Sequence, residues 1–301
     1  MLDAGLPVLR SLPTSVSSLK GRLPAAIEQV TKDVTAGTPL ADAIAAHPKS
    51  FSPIDIIVIE ASELSGNLPE GFRMLSHWYS FFHRIRCKMI SAMVLPVMLF
   101  HIAVMINFVP PLFLGRISLS QYFIAVTIRL IFLYIPTAAF FAVIHYTPKE
   151  GFFRRRLDAL TLSIPVMGKA FKYLAITRYC FVFNMIFKAG VPIVESAKIA
   201  SAHTGNAIVS DMFAGGAESA FAGNPVSKGF SPSLPIDFIE RWQVGEETGE
   251  LDNVLTRMTE KYTDITEDLF MLLAQWIPKI FYFLVCLYMI ASIFRNFPMI
   301  R

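Results

Sequence analysis

Apolar residues recur at every third or fourth position along much of the chain, and no stretch alternates with a clean period of two. The segment after Pro53 is typical, with apolar residues at Ile54, Ile57, Val58 and Ala61. That spacing lays an apolar stripe along one face of a helix. Prolines at first turns and glycines at helix ends separate these segments. We therefore predict an all-α fold without a sheet.

These prolines and glycines divide the polar parts of the chain into short helices joined by short connections, which is typical of antiparallel helix bundles. In the first half, we predict helices over 24–35 and 40–46 and another that begins at Pro53. In the second half, the predicted helices cover 154–170, 175–188, 192–204, 208–222, 225–229, 235–244 and 251–267.

Three predominantly apolar stretches are long enough to cross a bilayer, which takes about 20 helical residues. They run from Met89 to Phe113, from Tyr122 to Tyr146 and from Phe270 to Phe294. The composition agrees, because 54% of the residues are hydrophobic and only 17% are charged. Soluble domains carry about 25% charged residues. The chain is therefore predicted to be a membrane protein with three transmembrane helices.

The distribution of positive charge predicts the orientation of these spans. The link between the first two, Leu114 to Gln121, contains a single positive residue, Arg116. Positive residues favour the cytoplasmic side, so this link is predicted to lie outside. By continuity the third span starts inside, which leaves the N-terminus cytoplasmic and the C-terminus outside. The flanking positive residues are Arg73, Arg84, Arg86 and Lys88 before the first span and Lys149, Arg154, Arg155 and Arg156 after the second.

A sequence element occurs twice, as Glu63-Leu64-Ser65-Gly66-Asn67-Leu68 and as Glu246-Glu247-Thr248-Gly249-Glu250-Leu251. Its glycines are 183 residues apart, and the span prolines Pro96 and Pro278 are 182 apart. Two landmarks in one register indicate an internal duplication. The predicted order is a first helical bundle over 1–88, two spans over 89–146, a second, homologous bundle over 147–269 and a third span with a short external tail over 270–301. Both bundles are predicted to be cytoplasmic.

The repeated element is predicted to form a corner between two helices. Gly66 and Gly249 suit the left-handed conformation that ends a helix, and Leu68 and Leu251 are assigned to packing. Local capping does not explain a glutamate at the end of the first helix. It either forms a hydrogen bond or salt bridge within the domain or contacts a partner protein. The candidate partner contacts are Glu63, Glu246, Glu247 and Glu250.

Polar residues and prolines inside the spans are the other candidates, because ionisable groups in a bilayer are costly and often functional. His101 is either a packing residue or a proton relay. Arg129 either pairs within the protein or reaches towards the outside, or it contacts a partner protein in the membrane. Lys279 is interpreted as extending to the cytoplasmic interface. Pro96 and Pro278 are predicted to bend their helices where the chain enters the membrane.

No residue pattern indicates catalysis. A phosphate-binding loop, a zinc-protease helix and a nucleophile elbow are all missing from the sequence. The three cysteines are far apart, which indicates neither a disulfide framework nor a metal site. The net charge of +4 is too small to indicate nucleic-acid binding, and Arg154 to Arg156 are better explained as a lipid anchor. We expect no enzyme activity, cofactor or metal.

The duplicated features together resemble the bacterial family of type II secretion F proteins and type IV pilus PilC proteins. Each half has an Ala-Gly-x-Pro start, a later Gly-x-Pro, the glutamate corner and a proline-bearing span. The starts are Ala4-Gly5-Leu6-Pro7 and Ala189-Gly190-Val191-Pro192. The resemblance extends over residues 1–297. Relatives commonly have several tens of residues before the first such start, so an N-terminal arm is expected to be absent or supplied differently.

This resemblance implies an oligomeric platform protein, multi-pass in the bacterial inner membrane, with a periplasmic C-terminus. The implied partners are a cytoplasmic hexameric secretion or pilus ATPase, a pilin or pseudopilin and other inner-membrane components of the machine. A small transporter or channel subunit is the alternative, although three spans with few ionisable residues fit it poorly. A membrane enzyme is the third hypothesis and lacks an assembled site.

Overall fold

The computed structural model describes residues 8–16, 21–146 and 152–296. The repeat start at Ala4–Pro7, Lys149 and the predicted external tail after residue 296 lie outside these ranges. The described ranges contain helices and no strand, which confirms the predicted all-helical class. The helices are α1 Val8–Val16, α2 Arg22–Thr35, α3 Leu40–Ala45, α4 Pro53–Leu64, α5 Leu68–Asn107, α6 Val109–Phe113, α7 Leu119–Tyr146, α8 Phe152–Ser163, α9 Met167–Lys188, α10 Ile193–Ala202, α11 Ala207–Phe221, α12 Ile236–Thr248 and α13 Leu251–Asn296, with a short 3-10 helix over Val226–Gly229.

The helices form two compact units. The first contains the helical residues up to Phe82 together with Phe171–Thr266, and therefore holds most of the polar helices of both repeats, α8 excepted. The second contains His83–Ala170 and the chain from Glu267 onward, where the apolar stretches lie. The predicted domain boundaries at residues 88, 146 and 269 remain predictions.

The core of the first repeat includes two residues from the second. Phe181 and Met185 of α9 are buried in the same cluster as Val30, Leu40 and Trp78. The rings of Trp78 and Phe181 stack with centroids 4.5 Å apart. The first repeat therefore depends on α9 for part of its core.

The other side of α9 packs into the core of the second repeat. Tyr179 is fully buried and stacks on Phe213 of α11, with ring centroids 3.7 Å apart and planes 6° from parallel. Phe183 meets Trp242 of α12 edge to face at 4.8 Å. Residues 179–186 are all buried, so this part of α9 has no solvent face. One helix thus completes the cores of both repeats.

The predicted helix over 154–170 is wrong. Helix α8 ends at Ser163, and α9 begins at Met167. Pro165 lies at the break, where its ring and missing N–H are incompatible with a helix interior. Val166 has a positive φ of 66°, which a β-branched residue rarely adopts. The chain therefore turns sharply before α9.

The two helices that meet at each corner approach closely, and a glycine makes this possible. In the first repeat, a Cβ on Gly71 of α5 would overlap the Ser62 side chain of α4. In the second, a Cβ on Gly245 of α12 would lie 3.1 Å from Cβ of Val254 on α13. Ser62 and Gly245 are 183 residues apart, as are Gly71 and Val254. The glycine of the crossing is thus on the helix after the corner in the first repeat and on the helix before the corner in the second.

Among the described residues, one helical stretch, Leu68–Phe113, has both the length and the composition to cross a membrane, and Leu119–Ile131 is a shorter apolar segment. Helix α5 ends before Phe108, just ahead of Pro110 and Pro111 in α6. Pro96 and Pro278 lie inside α5 and α13 without ending either helix. The predicted bends at these prolines remain predictions.

The helix crossing in the first repeat is tested by Gly71→Val. Ser62 is 2% exposed and has little room to move, so we expect overpacking to destabilise the protein by about 1–3 kcal/mol. Adding Ser62→Gly, which copies the pair in the second repeat, should recover part of the loss. Thermal unfolding in detergent, followed by circular dichroism, measures both effects. An unchanged midpoint in Gly71→Val would contradict the close crossing.

Candidate functional site

The carboxylate of Glu63 binds the N-terminus of α3. Its Oε1 accepts a hydrogen bond from the Leu40 amide at 2.8 Å, and Oε2 accepts one from the Ala41 amide at 3.0 Å. Pro39 occupies the N-cap position and has no side-chain group that can accept these bonds. The amides of a first helical turn have no partner within the helix. Glu63 supplies the missing acceptor from the end of α4, more than twenty residues away.

Glu246 does the same in the second repeat. It accepts hydrogen bonds from the Val226 amide at 2.6 Å and from the Ser227 amide at 3.3 Å. The Ser227 hydroxyl donates a third bond at 2.5 Å. The residue at the N-cap is again a proline, Pro225. Each corner glutamate therefore caps the short helix after the Gly-x-Pro of its own repeat.

This arrangement accounts for a negative charge at the end of a helix. Glu63 and Glu246 lie at the C-terminal ends of α4 and α12, where the helix dipole disfavours them. The amides that they bind lie at the positive end of another helix, which favours them. Both side chains are only partly exposed. The geometry at each corner is a hydrogen-bonded link within the repeat.

An aspartate that was not predicted from the sequence anchors the opposite end of α4 and of α12. Tyr79 of α5 donates to the carboxylate of Asp55 at 2.9 Å. In the second repeat, Tyr262 of α13 lies 3.4 Å from Asp237 Oδ2. The signal was present in the sequence, since Pro-Ile-Asp occurs at 53–55 and again at 235–237. The helix before each corner is thus held by a carboxylate at both ends.

The corner glycines adopt the left-handed conformation that the sequence suggested, with φ of 71° at Gly66 and 73° at Gly249. At the first corner, the Asn67 amide donates to the Ser62 carbonyl at 2.8 Å and closes the end of α4. Leu251 is buried at the start of α13, and Leu68 packs against the first-repeat core.

Glu247 and Glu250 differ from the capping glutamates, because both side chains are exposed. Their first-repeat counterparts by position are Leu64, which is 83% exposed, and Asn67. The structure therefore separates the four candidate glutamates into two that are engaged with backbone amides and two that face solvent.

In the second unit, His101 of α5 links to α7. Its Nδ1 lies 2.7 Å from the Val97 carbonyl, which accepts only, so Nδ1 carries the proton. Nε2 then accepts from the Tyr134 hydroxyl at 2.6 Å. Both ring nitrogens are thus engaged, which makes His101 a cross-link between the first two apolar helices.

The two cations in the predicted second and third spans lie near aromatic rings. The guanidinium carbon of Arg129 is 5.7 Å from the centroid of the Phe108 ring. Lys279 Nζ is 5.2 Å from the centroid of the Trp276 ring, one turn earlier in α13. These distances suit cation–π contacts. Among the described residues, no group of three or more His, Cys, Asp or Glu side chains is placed to hold a metal ion.

These features define a class: an all-helical, duplicated chain in which polar helices lead into long apolar ones. The profile of the family described as type II secretion system (T2SS), protein F matches residues 1–113 and 179–294, which include both corners. The chain belongs to this family, as the sequence resemblance indicated.

Individual relatives carry two kinds of name. The type IV pilus assembly protein PilC of Thermus thermophilus is 28% identical over 285 residues, which cover 87% of this chain and 70% of the relative. The type IV pilus assembly protein TapC of Aeromonas hydrophila is 23% identical over 89% of this chain and 70% of the relative. The type II secretion system protein F of Vibrio cholerae is 24% identical over 86% of this chain and 69% of the relative.

The capping role of the glutamates is tested by Glu63→Ala and Glu246→Ala. Each leaves backbone amides without their acceptor, and loss of a helix cap costs about 0.5–2 kcal/mol. We expect each variant to lower the free energy of unfolding by that amount. Denaturant unfolding in detergent measures it. Glu247→Ala is the matched control and should have no effect; an equal loss in the control would contradict the assignment.

The Asp237 cluster predicts a dependence of stability on pH. Lys261, at 2.6 Å, and Arg241, at 2.9 Å, lower the pKa of Asp237 below its ordinary value of 3.8. A lowered folded-state pKa means that the ionised form stabilises the fold above pH 3.8, and that this contribution is lost as the pH falls through the folded-state pKa. In a plot of the thermal midpoint against pH, we expect Asp237→Asn to make the decrease on the acid limb less steep. An acid limb with unchanged slope would contradict this.

Proposed function

We propose that this chain is an inner-membrane platform protein of a type IV pilus or type II secretion machine. It couples a cytoplasmic hexameric ATPase to the assembly of pilin or pseudopilin subunits, and it performs no catalysis itself. The observation that carries the proposal is the match of the secretion family to both repeats. The names of the relatives, which are pilus assembly and type II secretion proteins, support the same machine class.

In this proposal the chain crosses the membrane three times, and each repeat forms a cytoplasmic helix bundle. Two observations support the topology. The link after the first span has one positive residue, whereas the flanks have four each. Both α5 and α13 continue without interruption from a corner into an apolar stretch. The first and third spans would then leave the cytoplasm in the same direction, with the C-terminus in the periplasm.

The long helices give the proposal a mechanical basis. Helix α5 has 40 residues and α13 has 46, and at 1.5 Å per residue they extend about 60–70 Å. In the proposal, each of these helices runs without interruption from a bundle into a span. A force applied to the corner of a bundle by the ATPase would therefore reach the membrane, where pilin subunits lie. As a platform in a symmetric machine, the protein would act as a homo-oligomer.

Among the corner residues, Glu247 and Glu250 are the candidates for contact with the ATPase. Their side chains face solvent at the second corner, and exposed charges at an interface steer partners and set specificity. Glu63 and Glu246 are engaged with backbone amides, so their substitution would act through the fold. Substitution of Glu247 and Glu250 therefore tests contact with a partner without removing a helix cap.

The proposed function is tested in the bacterium that encodes the chain. Deletion of the gene should abolish surface pili or secretion by the cognate machine, and the wild-type gene should restore it. The Glu247→Lys/Glu250→Lys variant should reduce assembly at least severalfold and weaken co-purification of the ATPase, because it reverses the charge of the proposed contact. Immunoblots of membranes and thermal midpoints should be unchanged.

Glu218→Lys is the matched control, since Glu218 is an exposed acid elsewhere in the second repeat. It should assemble normally. Normal assembly by the double variant would contradict the contact at the second corner. Normal assembly after gene deletion would contradict the proposed function as a whole.

A further inference from the structure

Helices α5 and α13 contact each other through equivalent positions of the two repeats. Arg84 Nη2 and Glu267 Oε1 form a salt bridge at 2.5 Å. One turn later, Lys88 Nζ lies 3.5 Å from Met271 Sδ. The two residues of each pair are 183 positions apart, which is the offset between the corner glycines. We call this contact the repeat seam.

The seam runs parallel and in register. Beyond the Lys88 contact, Phe100 of α5 meets Phe281 of α13 with ring centroids 5.8 Å apart. Contacts therefore follow the same order along both helices. In each pair, the sequence separation of the two residues differs by at most two from the offset between the repeats. In parallel two-stranded coiled coils, equivalent positions face each other in the same way. The seam is the intrachain counterpart of an isologous dimer contact.

This geometry makes a competing arrangement possible, in which like helices of two copies of the chain pair with each other. Because the two helices are homologous, two α5 helices from different copies could pair in the same register, and so could two α13 helices. The first pairing would place Arg84 against Arg84 and Lys88 against Lys88. The second would place Glu267 against Glu267. Only the pairing of unlike repeats joins opposite charges at this level.

The environment strengthens the discrimination. The side chain of Glu267 is 19% exposed, and the space beside it is lined by apolar Ile85, Phe270 and Met271 together with Lys88. Partial burial among apolar groups reduces solvent screening, and an unpaired or like-charged carboxylate there is disfavoured. Specificity between related partners depends on such differences, including repulsion in the unwanted pairing.

We propose that the Arg84–Glu267 pair directs the helix of the first repeat to the helix of the second repeat in the same chain, against like pairing between copies. Each chain then forms a closed pseudo-dimer before it assembles, and contacts between copies use surfaces other than the seam. This inference concerns assembly and does not rest on the ATPase or pilin contacts proposed above.

Disulfide trapping in membranes tests the pairing. The exposed native cysteines are first replaced, as Cys87→Ser and Cys286→Ser, and buried Cys180 is kept. In this background, Lys88→Cys/Met271→Cys reports pairing within the chain, because oxidation gives a cross-linked monomer. Lys88→Cys alone reports like pairing, because oxidation gives a disulfide-linked dimer. With the native charge pair, we expect mainly cross-linked monomer in the first protein and little dimer in the second.

Charge variants then test the cause. Arg84→Glu places two carboxylates in the seam and should reduce the cross-linked monomer severalfold. The swap Arg84→Glu/Glu267→Arg restores opposite charges and should recover it. The neutral Arg84→Asn/Glu267→Asn should raise the dimer formed by Lys88→Cys.

Three results would overturn the proposal. The first is an intrachain cross-link that Arg84→Glu does not reduce, or a Lys88→Cys dimer that the neutral pair does not raise. The second is a loss in Arg84→Glu that the swap does not recover, since this assigns the effect to helix packing. The third is dimer that forms only in the double-cysteine protein, since this places the unlike pair between two copies.

Discussion

The fold of each repeat depends on a carboxylate that reaches across to a helix N-terminus. The short helix after Gly-x-Pro has a proline at its N-cap, which supplies no side-chain oxygen, so its first amides need an acceptor from elsewhere. Glu63 and Glu246 provide it from the last turn of the helix before the corner. Their charge is misplaced for their own helix and well placed for the other one. The interaction fixes the point from which the long helix starts towards the apolar segment.

Duplication has preserved this constraint while the packing around it diverged. The close helix crossing uses Gly71 opposite Ser62 in one repeat and Gly245 opposite Val254 in the other. Helix α9 contributes to both cores, so neither is independent of the other. The repeats therefore behave as one folded unit in which equivalent positions perform related tasks with different residues. The salt bridge at the seam follows the same logic, because the duplicated position has acquired opposite charges.

Much of this was accessible from the sequence, and the remainder has physical causes. The spacing of apolar residues and the prolines and glycines at helix ends located most helices. The duplicated corner located Gly66, Gly249 and the glutamates. The pattern did not show where the glutamates bind, because their acceptor role joins segments about twenty residues apart. It missed the break at Pro165, where an apolar spacing continues through a residue that cannot be helical. It also assigned Arg84 to membrane orientation, since its partner Glu267 lies 183 residues away.

Amide hydrogen exchange, resolved by mass spectrometry, tests the central claim most directly. Protection of residues 38–46 should fall in Glu63→Ala while residues 224–230 stay protected, and Glu246→Ala should give the reverse. Such local, reciprocal losses are the result expected if each glutamate holds the helix start of its own repeat. Unchanged protection of both segments, or an equal loss in both from either substitution, would contradict the account.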